Sequence, residues 1–134
     1  MYWLIKSEPE VWSWADQVRE KKTCWDGVRN YQAANNLQAM RNQDLAFFYH
    51  SGEERQIVGI VEVIKEAYPD PSDPSGRFVM VDVQAVRPLT KPVTLQQIKA
   101  HPDLQDLALV KQGRLSVMPI GAAAWEIISN MGGL

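Results

Sequence analysis

The stretch LAFFYHSGEERQIVGIVEVIK, residues 45–65, decides the fold. Its first part, Leu45–Tyr49, is an unbroken run of apolar and aromatic residues, short enough to be a buried strand. Its last part, Gln56–Lys65, is rich in isoleucine and valine, which favour strands. The polar residues between the two runs predict an exposed turn, so the stretch predicts a β-hairpin. Gly59, inside the second strand, indicates a bulge or a close backbone approach.

Short strands and short helices alternate over the rest of the chain. Further strands are predicted at Met1–Lys6, Arg77–Val86 and Gln112–Met118. Helices are predicted after the capping residues Ser13, Asn30 and Thr94, and over Pro119–Asn130. The segment Tyr68–Gly76 contains three prolines and predicts a surface loop. Five or six strands interleaved with short helices predict an α/β (α+β) fold, a curved mixed sheet or small barrel with helices packed around it.

Length and composition predict one ordinary globular domain, residues 1–134. Hydrophobic residues make up 46% of the chain and charged residues 22%, which argues against intrinsic disorder. Neither an apolar run of about eighteen residues nor a signal-peptide pattern occurs, so we expect no membrane span and no secretion. Cys24 is the only cysteine, which excludes an internal disulfide and favours a reducing, cytoplasmic location.

The charge balance limits how this chain could bind nucleic acid. A net charge of −2 and a pI near 5.6 argue against a protein that coats duplex DNA through counterion release alone. Any binding of nucleic acid must therefore be local and depend on a pocket. Tryptophan is the unusual residue, with five in the chain, and most large aromatic side chains are core or half-buried.

The densest group of functional residue types is CWDGVRNY, residues 24–31. Within it Asp26-Gly27 predicts a tight turn, because glycine accepts a positive φ. The segment supplies aromatic rings, charges and an amide from Trp25, Asp26, Arg29, Asn30 and Tyr31. A flat nucleic-acid base needs an aromatic face for stacking and polar groups for its edge, and this segment offers both. A salt-bridged turn with Trp25 filling the core explains the same residues, so the segment alone leaves both interpretations open.

Two polar clusters stand at the ends of predicted strands, where segments of the chain could converge. They are Lys6, Ser7 and Glu8 after the first strand, and Tyr49, His50 and Ser51 in the hairpin. Any one such cluster is commonly just solvent-exposed, but their richness in several places favours a shared site. In the last predicted strand, Arg114 and Ser116 add a candidate phosphate or base contact, since arginine offers a planar fork of donors.

Nucleophilic catalysis and metal binding find little support in the sequence. Ser51 and His50 are neighbours in a strand and point to opposite faces, so they cannot readily form a catalytic pair. Cys24 beside Trp25 is typical of an inert thiol, because Arg29 is the only cation near it in the sequence. The two histidines, His50 and His101, show no metal-ligand spacing, and no glycine-rich phosphate loop occurs.

Taken together, several segments of this chain resemble the EVE domain family. They are Lys6–Pro9, Cys24–Tyr31, Phe47–Ser51, Tyr68–Asp70 and Val81–Val83, and Arg114–Val117 with Pro119 also fits. The resemblance covers almost the whole chain in order, and the second and third segments are specific. It implies a PUA-like fold related to the YTH and ASCH domains, in which a curved sheet of five to six strands forms a pseudobarrel flanked by short helices.

The resemblance also implies a function and a set of binding residues. The family is proposed to read modified bases in DNA or RNA, by analogy with YTH domains, which enclose a methylated adenine in an aromatic cage. By position in the motifs, Trp25 is expected to be the cage wall, with Lys6, Ser7 and Glu8 at a polar entrance. The remaining lining is expected from Asp26, Val28, Arg29, Asn30, Tyr31, Tyr49, His50, Ser51, Arg114 and Ser116. The other tryptophans are all compatible with core positions, so no second cage tryptophan is evident.

The leading hypothesis is a non-catalytic module that encloses a flipped, modified base without a metal or cofactor. We expect it to act as a monomer with DNA or RNA as its partner. An enzyme that acts on a nucleotide or modified RNA is an alternative, and it would depend on Glu8, Asp26 or His50. A protein-interaction adaptor that uses the loop Tyr68–Gly76 is the other alternative.

Overall fold

A six-stranded mixed sheet forms the body of the protein, and the computed structural model describes all residues, 1–134. The strands are β1 (Tyr2–Ser7), β2 (Lys22–Trp25), β3 (Leu45–His50), β4 (Gln56–Pro69), β5 (Val79–Thr94) and β6 (Val117–Ile120). Their order across the sheet is β2-β5-β4-β3-β1-β6. Only β1 and β3 run parallel, and every other neighbouring pair is antiparallel. The predicted mixed sheet of five to six strands with short helices is confirmed.

Five short helices flank the sheet. They are α1 (Trp14–Glu20), α2 (Tyr31–Ala39), α3 (Leu95–Ala100), α4 (Ala108–Lys111) and α5 (Ala122–Met131), with one 3₁₀ turn at Pro102–Leu104. The three predicted caps are confirmed: Ser13, Asn30 and Thr94 each accept a hydrogen bond from a backbone N–H in the first helical turn. No helix is both long enough and apolar enough to cross a membrane.

The predicted hairpin is confirmed as β3 and β4, and it contains the bulge that Gly59 indicated. Phe48 pairs with Gly59 while Tyr49 pairs with Ile57, so Val58 is the extra residue on β4. Because Gly59 has no side chain, the Trp14 indole can pack against its backbone. A Cβ at residue 59 would lie only 2.5 Å from the nearest ring atoms of Trp14. The close approach to this glycine is therefore made by a side chain of α1.

Two predicted boundaries were wrong because prolines lie inside edge segments of strands. The predicted strand Arg77–Val86 is instead β5, which continues through Pro88 and Pro92 to Thr94. Its partner β2 pairs only as far as Gln84, so the later part of β5 has one free edge that tolerates proline. The same reason applies to Pro119, which lies on the edge strand β6 and not in the predicted closing helix.

Other predicted boundaries shift for local reasons. The predicted strand Gln112–Met118 is wrong over residues 112–116, which form a turn, and only its end belongs to β6. The predicted loop Tyr68–Gly76 begins later, because Tyr68 and Pro69 still pair with β5. The Tyr68 hydroxyl donates a hydrogen bond of 2.5 Å to Asp82 of β5, and this bond raises the pKa of Tyr68 to about 12.

The aromatic side chains divide into two groups on the structure. One group closes the core beside α5, where the Trp125 ring stacks on Phe47 with centroids 3.8 Å apart. Trp3 is also buried, and its indole N–H donates a 2.9 Å hydrogen bond to Asp44. The second group surrounds Phe48, which meets the rings of both Trp14 and Trp25 edge to face.

We expect Gly59→Ala to lower the free energy of unfolding by about 1 to 3 kcal/mol, because the added methyl overlaps the Trp14 indole. Gly113→Ala is the control, since nothing lies within 4 Å of a Cβ there and its change should stay within about 0.5 kcal/mol. Urea unfolding of the three proteins measures both effects. Equal midpoints for Gly59→Ala and the parent would contradict the prediction.

Candidate functional site

The sheet curls so far that strands distant in its order line one cavity. β1 and β2 are separated by β3, β4 and β5 across the sheet, yet residues of both border the same cavity of about 540 Å³. Its lining consists of Lys6, Ser7, Glu8, Val11, Trp12, Thr23, Cys24, Trp25, Asp26, Gly27, Val28, Arg29 and Ser116. We call it the tryptophan cavity. Its volume falls within the range of about 300 to 1,000 Å³ common for small-ligand sites.

The Trp25 side chain forms a fixed aromatic wall of the tryptophan cavity. It ends β2 and is only 8% exposed, while still bordering the cavity. Its ring meets Phe48 at a centroid distance of 5.5 Å and an interplanar angle of 83°. This edge-to-face contact with a fully buried ring holds the indole in one orientation, so the surface that it offers to a ligand is preformed.

Trp12 brings a second indole to the cavity. Its indole N–H donates a 2.9 Å hydrogen bond to the side-chain oxygen of Gln17, a buried residue of α1. Its backbone carbonyl accepts a hydrogen bond from the Ser7 hydroxyl. The segment between β1 and α1 is thereby tied to both elements, which positions Trp12 beside the end of β1.

The turn after Trp25 is held by one buried carboxylate. Gly27 adopts φ +78°, which glycine tolerates, and its N–H donates a 2.8 Å hydrogen bond to Asp70. Arg29 donates a 3.1 Å hydrogen bond to the same oxygen, and it reaches Ser72 as well. The Asp70 side chain is 0% exposed. The loop after β4 therefore braces the wall of the tryptophan cavity.

Hydrogen bonds outweigh burial in setting the ionisation of Asp70. Burial alone raises the pKa of this carboxyl, but hydrogen bonds from Ser72, the Gly27 N–H and Arg29 bring the pKa down to about 2. The carboxylate is therefore charged at neutral pH, and its charge complements the Arg29 guanidinium beside it.

A second cavity, of about 490 Å³, adjoins the first. Lys6, Glu8 and Ser116 border both cavities and form the junction between them. Of the other predicted site residues, Tyr49, Ser51 and Arg114 line this second cavity and not the first. The predicted set is thus divided between two adjoining spaces.

Three predicted site residues lie outside both cavities. Asn30 caps α2 through a 2.9 Å hydrogen bond from the Ala33 N–H. Tyr31 is 62% exposed, and its ring packs against Phe78 with centroids 5.3 Å apart. His50 is the third, and it is buried. Asn30 and Tyr31 thus make structural contacts outside the lining of the space that Trp25 borders.

His50 uses both ring nitrogens for structural contacts. Its Nε2 accepts a 2.9 Å hydrogen bond from the Trp14 N–H at the start of α1, so Nδ1 carries the proton. Nδ1 then donates a 2.9 Å hydrogen bond to Glu54, and this bond lowers the pKa of Glu54. The imidazole connects the start of α1 to the hairpin and has no nitrogen free for a substrate.

Sequence reasoning missed five residues that line the tryptophan cavity. They are Val11, Trp12, Thr23, Cys24 and Gly27. Cys24 and Gly27 lie inside the motif of residues 24–31, but the sequence indicates an inert thiol for Cys24 and a turn residue for Gly27. Trp12 lies in a segment with no regular pattern, and only the abundance of tryptophan could have drawn attention to it.

The tryptophan cavity combines flat apolar walls with a charged rim. Trp12 and Trp25 supply the walls, and Lys6, Glu8 and Asp26 supply a cation and two carboxylates. Such a lining suits a planar heterocycle whose edge carries both donors and acceptors. Nowhere in the chain do three His, Cys, Asp or Glu side chains group as a metal site would require.

Comparisons with known proteins agree on one family. The family model described as EVE domain matches residues 1–131. Thymocyte nuclear protein 1 of Rattus norvegicus is 38% identical over 97% of this chain and 73% of that protein. The NMR structure of Rpa0253 from Rhodopseudomonas palustris is 54% identical, with a TM-score of 0.93 over 98% of this chain and 92% of that one.

A further similar structure contains a ligand. The crystal structure of the human THYN1 protein in complex with DNA that contains 5-methylcytosine is 33% identical to this chain. The two superpose with a TM-score of 0.89, covering 99% of this chain and 98% of the human one.

We expect Asp70→Asn to lower the free energy of unfolding at pH 7 by about 2 kcal/mol, because the variant loses the ionised carboxylate whose hydrogen bonds hold the folded-state pKa at about 2. The ionised carboxylate stabilises the fold fully above the ordinary pKa of 3.8, and this contribution fades as the pH falls through about 2. The gap between parent and variant should therefore narrow from pH 4 towards pH 2.

Urea unfolding at a series of pH values measures this gap. Asp106→Asn is the matched control, because the Asp106 side chain is 100% exposed and its loss should leave stability unchanged. A gap of constant size across the acidic range would contradict the assignment of Asp70 as the brace of the turn.

Proposed function

Because the chain belongs to the EVE domain family, we propose that it is a modified-base reader, which encloses one modified base of DNA or RNA in the tryptophan cavity. The observation that carries the proposal is the position of Trp25, which packs on the core at 8% exposure and still borders an open cavity. Stacking of a base on an aromatic side chain contributes about 1 to 3 kcal/mol and suits every base, since each has a π-face.

The complex of the human relative supports the choice of ligand. That protein was crystallised with DNA containing 5-methylcytosine, and it matches this chain over almost its whole length. We take 5-methylcytosine in DNA as the first ligand to test. Binding measurements with other modified bases, in DNA and in RNA, then determine the preferred modification and the preferred nucleic acid.

Entry of a base into the cavity requires the base to leave its stack. Flipping costs a few kcal/mol, so stacking on Trp25 and hydrogen bonds to the base edge must offset that cost. We propose that Lys6, Ser7 and Glu8 form the polar entrance, with Asp26 and Ser116 beside them. A single methyl group contributes about 1 to 3 kcal/mol in an apolar pocket, so we expect a modest preference for the modified base.

The residues outside the cavity take supporting roles in this proposal. His50 holds the start of α1, while Asn30 caps the helix that follows the turn. Arg29 borders the cavity, but its guanidinium donates hydrogen bonds to Asp70 and Ser72. We therefore assign it chiefly to bracing the turn.

A catalytic role has less support from the same geometry. Of the three candidate residues, His50 has both nitrogens engaged, which removes the most suitable general base. Glu8 and Asp26 border the cavity together with the Lys6 cation. The absence of turnover stays a prediction, and incubation of the protein with nucleotides and modified RNA tests it.

The adaptor hypothesis also has less support. Asp70, at the start of the loop after β4, is buried and braces the turn after Trp25, which gives this loop a structural role within the domain. A monomeric state and the cytoplasmic location favoured by Cys24 stay predictions.

We expect the parent protein to bind a DNA duplex with one 5-methylcytosine about 10- to 100-fold more tightly than the unmethylated duplex. Trp25→Ala should weaken binding of the methylated duplex by a similar factor, because the stacking surface is lost. Trp25→Phe keeps a flat ring and should retain part of the affinity. Fluorescence anisotropy with labelled duplexes measures each constant.

A second pair of variants guards against loss of folding at Trp25. Thr23 lines the same cavity and lies two residues before Trp25 on the same face of β2, so Thr23→Trp should fill the space and block the methylated base. Thr23→Ser changes the same position without adding bulk and is the control. If Thr23→Trp keeps the full preference for the methylated duplex, the base does not enter this cavity.

A further inference from the structure

We propose that the second cavity binds the phosphodiester backbone of the strand whose base enters the tryptophan cavity. This inference rests on the proposed function, and it assigns a role to a site that the base itself does not reach. The cavity is lined in part by Lys6, Arg55, Lys99 and Arg114, and we call it the cationic cleft.

The cationic cleft concentrates positive charge in an acidic protein. Four cations line it together with one carboxylate, that of Glu8, so its net charge is +3 while the whole chain has −2. A concentration of like charge costs self-repulsion, and an anion in the cleft relieves that repulsion. Among biological anions, a nucleic-acid backbone is the one that the neighbouring base site would bring to this place.

None of the four cations is neutralised by the protein. Arg19, Arg29 and Lys111 are the side-chain cations that lie 3.0 to 3.2 Å from a carboxylate, and none of the three lines the cleft. The cations of the cleft have no carboxylate within 4.0 Å. Lys6 donates only to a neutral carbonyl, that of Gly113, at 2.9 Å. Their full charge is therefore available to a ligand.

The cations come from four separate parts of the chain, which converge through the fold. Lys6 lies on β1, Lys99 on α3, and Arg114 in the turn before β6. Arg55 ends the hairpin turn and adopts φ +46°, which is sparsely populated for arginine. Its carbonyl accepts a 2.9 Å hydrogen bond from Leu95, so this unusual conformation is fixed against α3.

The cleft is continuous with the base site. Lys6, Glu8 and Ser116 border both cavities, so a base beside Trp25 would place its sugar at this junction and its phosphates in the cleft. The negative charge of Glu8 disfavours a phosphate at the junction itself. The backbone is therefore expected on the far side of the cleft, against Arg55, Lys99 and Arg114.

Phosphate contacts and base contacts have different experimental signatures. A contact to phosphate strengthens binding of every sequence and makes it depend on salt, whereas a base contact creates preference. Neutralising one phosphate contact lowers the slope of log affinity against log salt by about 0.9 on duplex DNA.

The test compares the parent with the double variant Arg55→Gln, Lys99→Gln. We expect weaker binding of the methylated and the unmethylated duplex by the same factor, with the ratio between them unchanged. The salt slope should fall by about 1.8 for the two contacts. The matched control is Lys21→Gln, Arg87→Gln, which removes the same charge from a surface away from both cavities and should leave the slope unchanged.

Each outcome separates this inference from the proposed function. An unchanged slope in the cleft variant, with the parent still preferring the methylated duplex, overturns the inference alone. A reduced slope in a parent that shows no preference supports the cleft and overturns the modified-base proposal. Loss of the preference in the cleft variant would place the base itself in the cleft, which overturns the inference.

A calorimetric titration with inorganic phosphate distinguishes the source of the anion. We expect no measurable heat from free phosphate at millimolar concentration, since one isolated anion lacks the stacked base that would hold it. Tight binding of inorganic phosphate that is lost in the cleft variant, together with an unchanged salt slope on DNA, would identify a small-anion site and overturn the backbone assignment.

Discussion

The packing around Phe48 joins parts of the sheet that its strand order keeps apart. This fully buried ring of β3 meets Trp14 at a centroid distance of 5.3 Å and Trp25 at 5.5 Å. The bulge at Gly59, directly across from Phe48, leaves the space into which the Trp14 indole fits. Because Trp25 belongs to the far edge strand, its contact with Phe48 requires the sheet to curl, and that curl encloses the tryptophan cavity.

The turn that follows Trp25 in the wall of the tryptophan cavity is held mainly by electrostatic interactions. The buried carboxylate of Asp70 receives the Gly27 N–H and the Arg29 guanidinium, so the turn after Trp25 cannot open without leaving a charge unpaired. The cationic cleft shows the opposite arrangement, because its cations have no carboxylate partner. Paired charge positions the wall of the tryptophan cavity, and the proposed contact with a nucleic-acid backbone would use the unpaired charge beside it.

Local patterns predicted those elements whose signals lie within a few residues. The apolar run Leu45–Tyr49, the caps Ser13 and Thr94 and the bulge at Gly59 depend on short-range backbone preferences, and the structure confirms them. The predicted boundaries of β5 and β6 were wrong because both strands contain prolines, and a proline is compatible with a strand that has a free edge. Which strands lie at an edge depends on the sheet order, and no local pattern specifies that order.

The sequence by itself determined a mixed sheet with short helices, the family, and the motif around Trp25 as a candidate site. Tertiary structure alone decided which polar residues meet. It brought Trp12 into the cavity wall, directed Tyr31 and His50 elsewhere, and gathered four unpaired cations from distant segments into one cleft. The physical reason is that side-chain packing and electrostatic interactions act between residues far apart in the chain. The spacing of such residues in the sequence does not predict the distance between them in the fold.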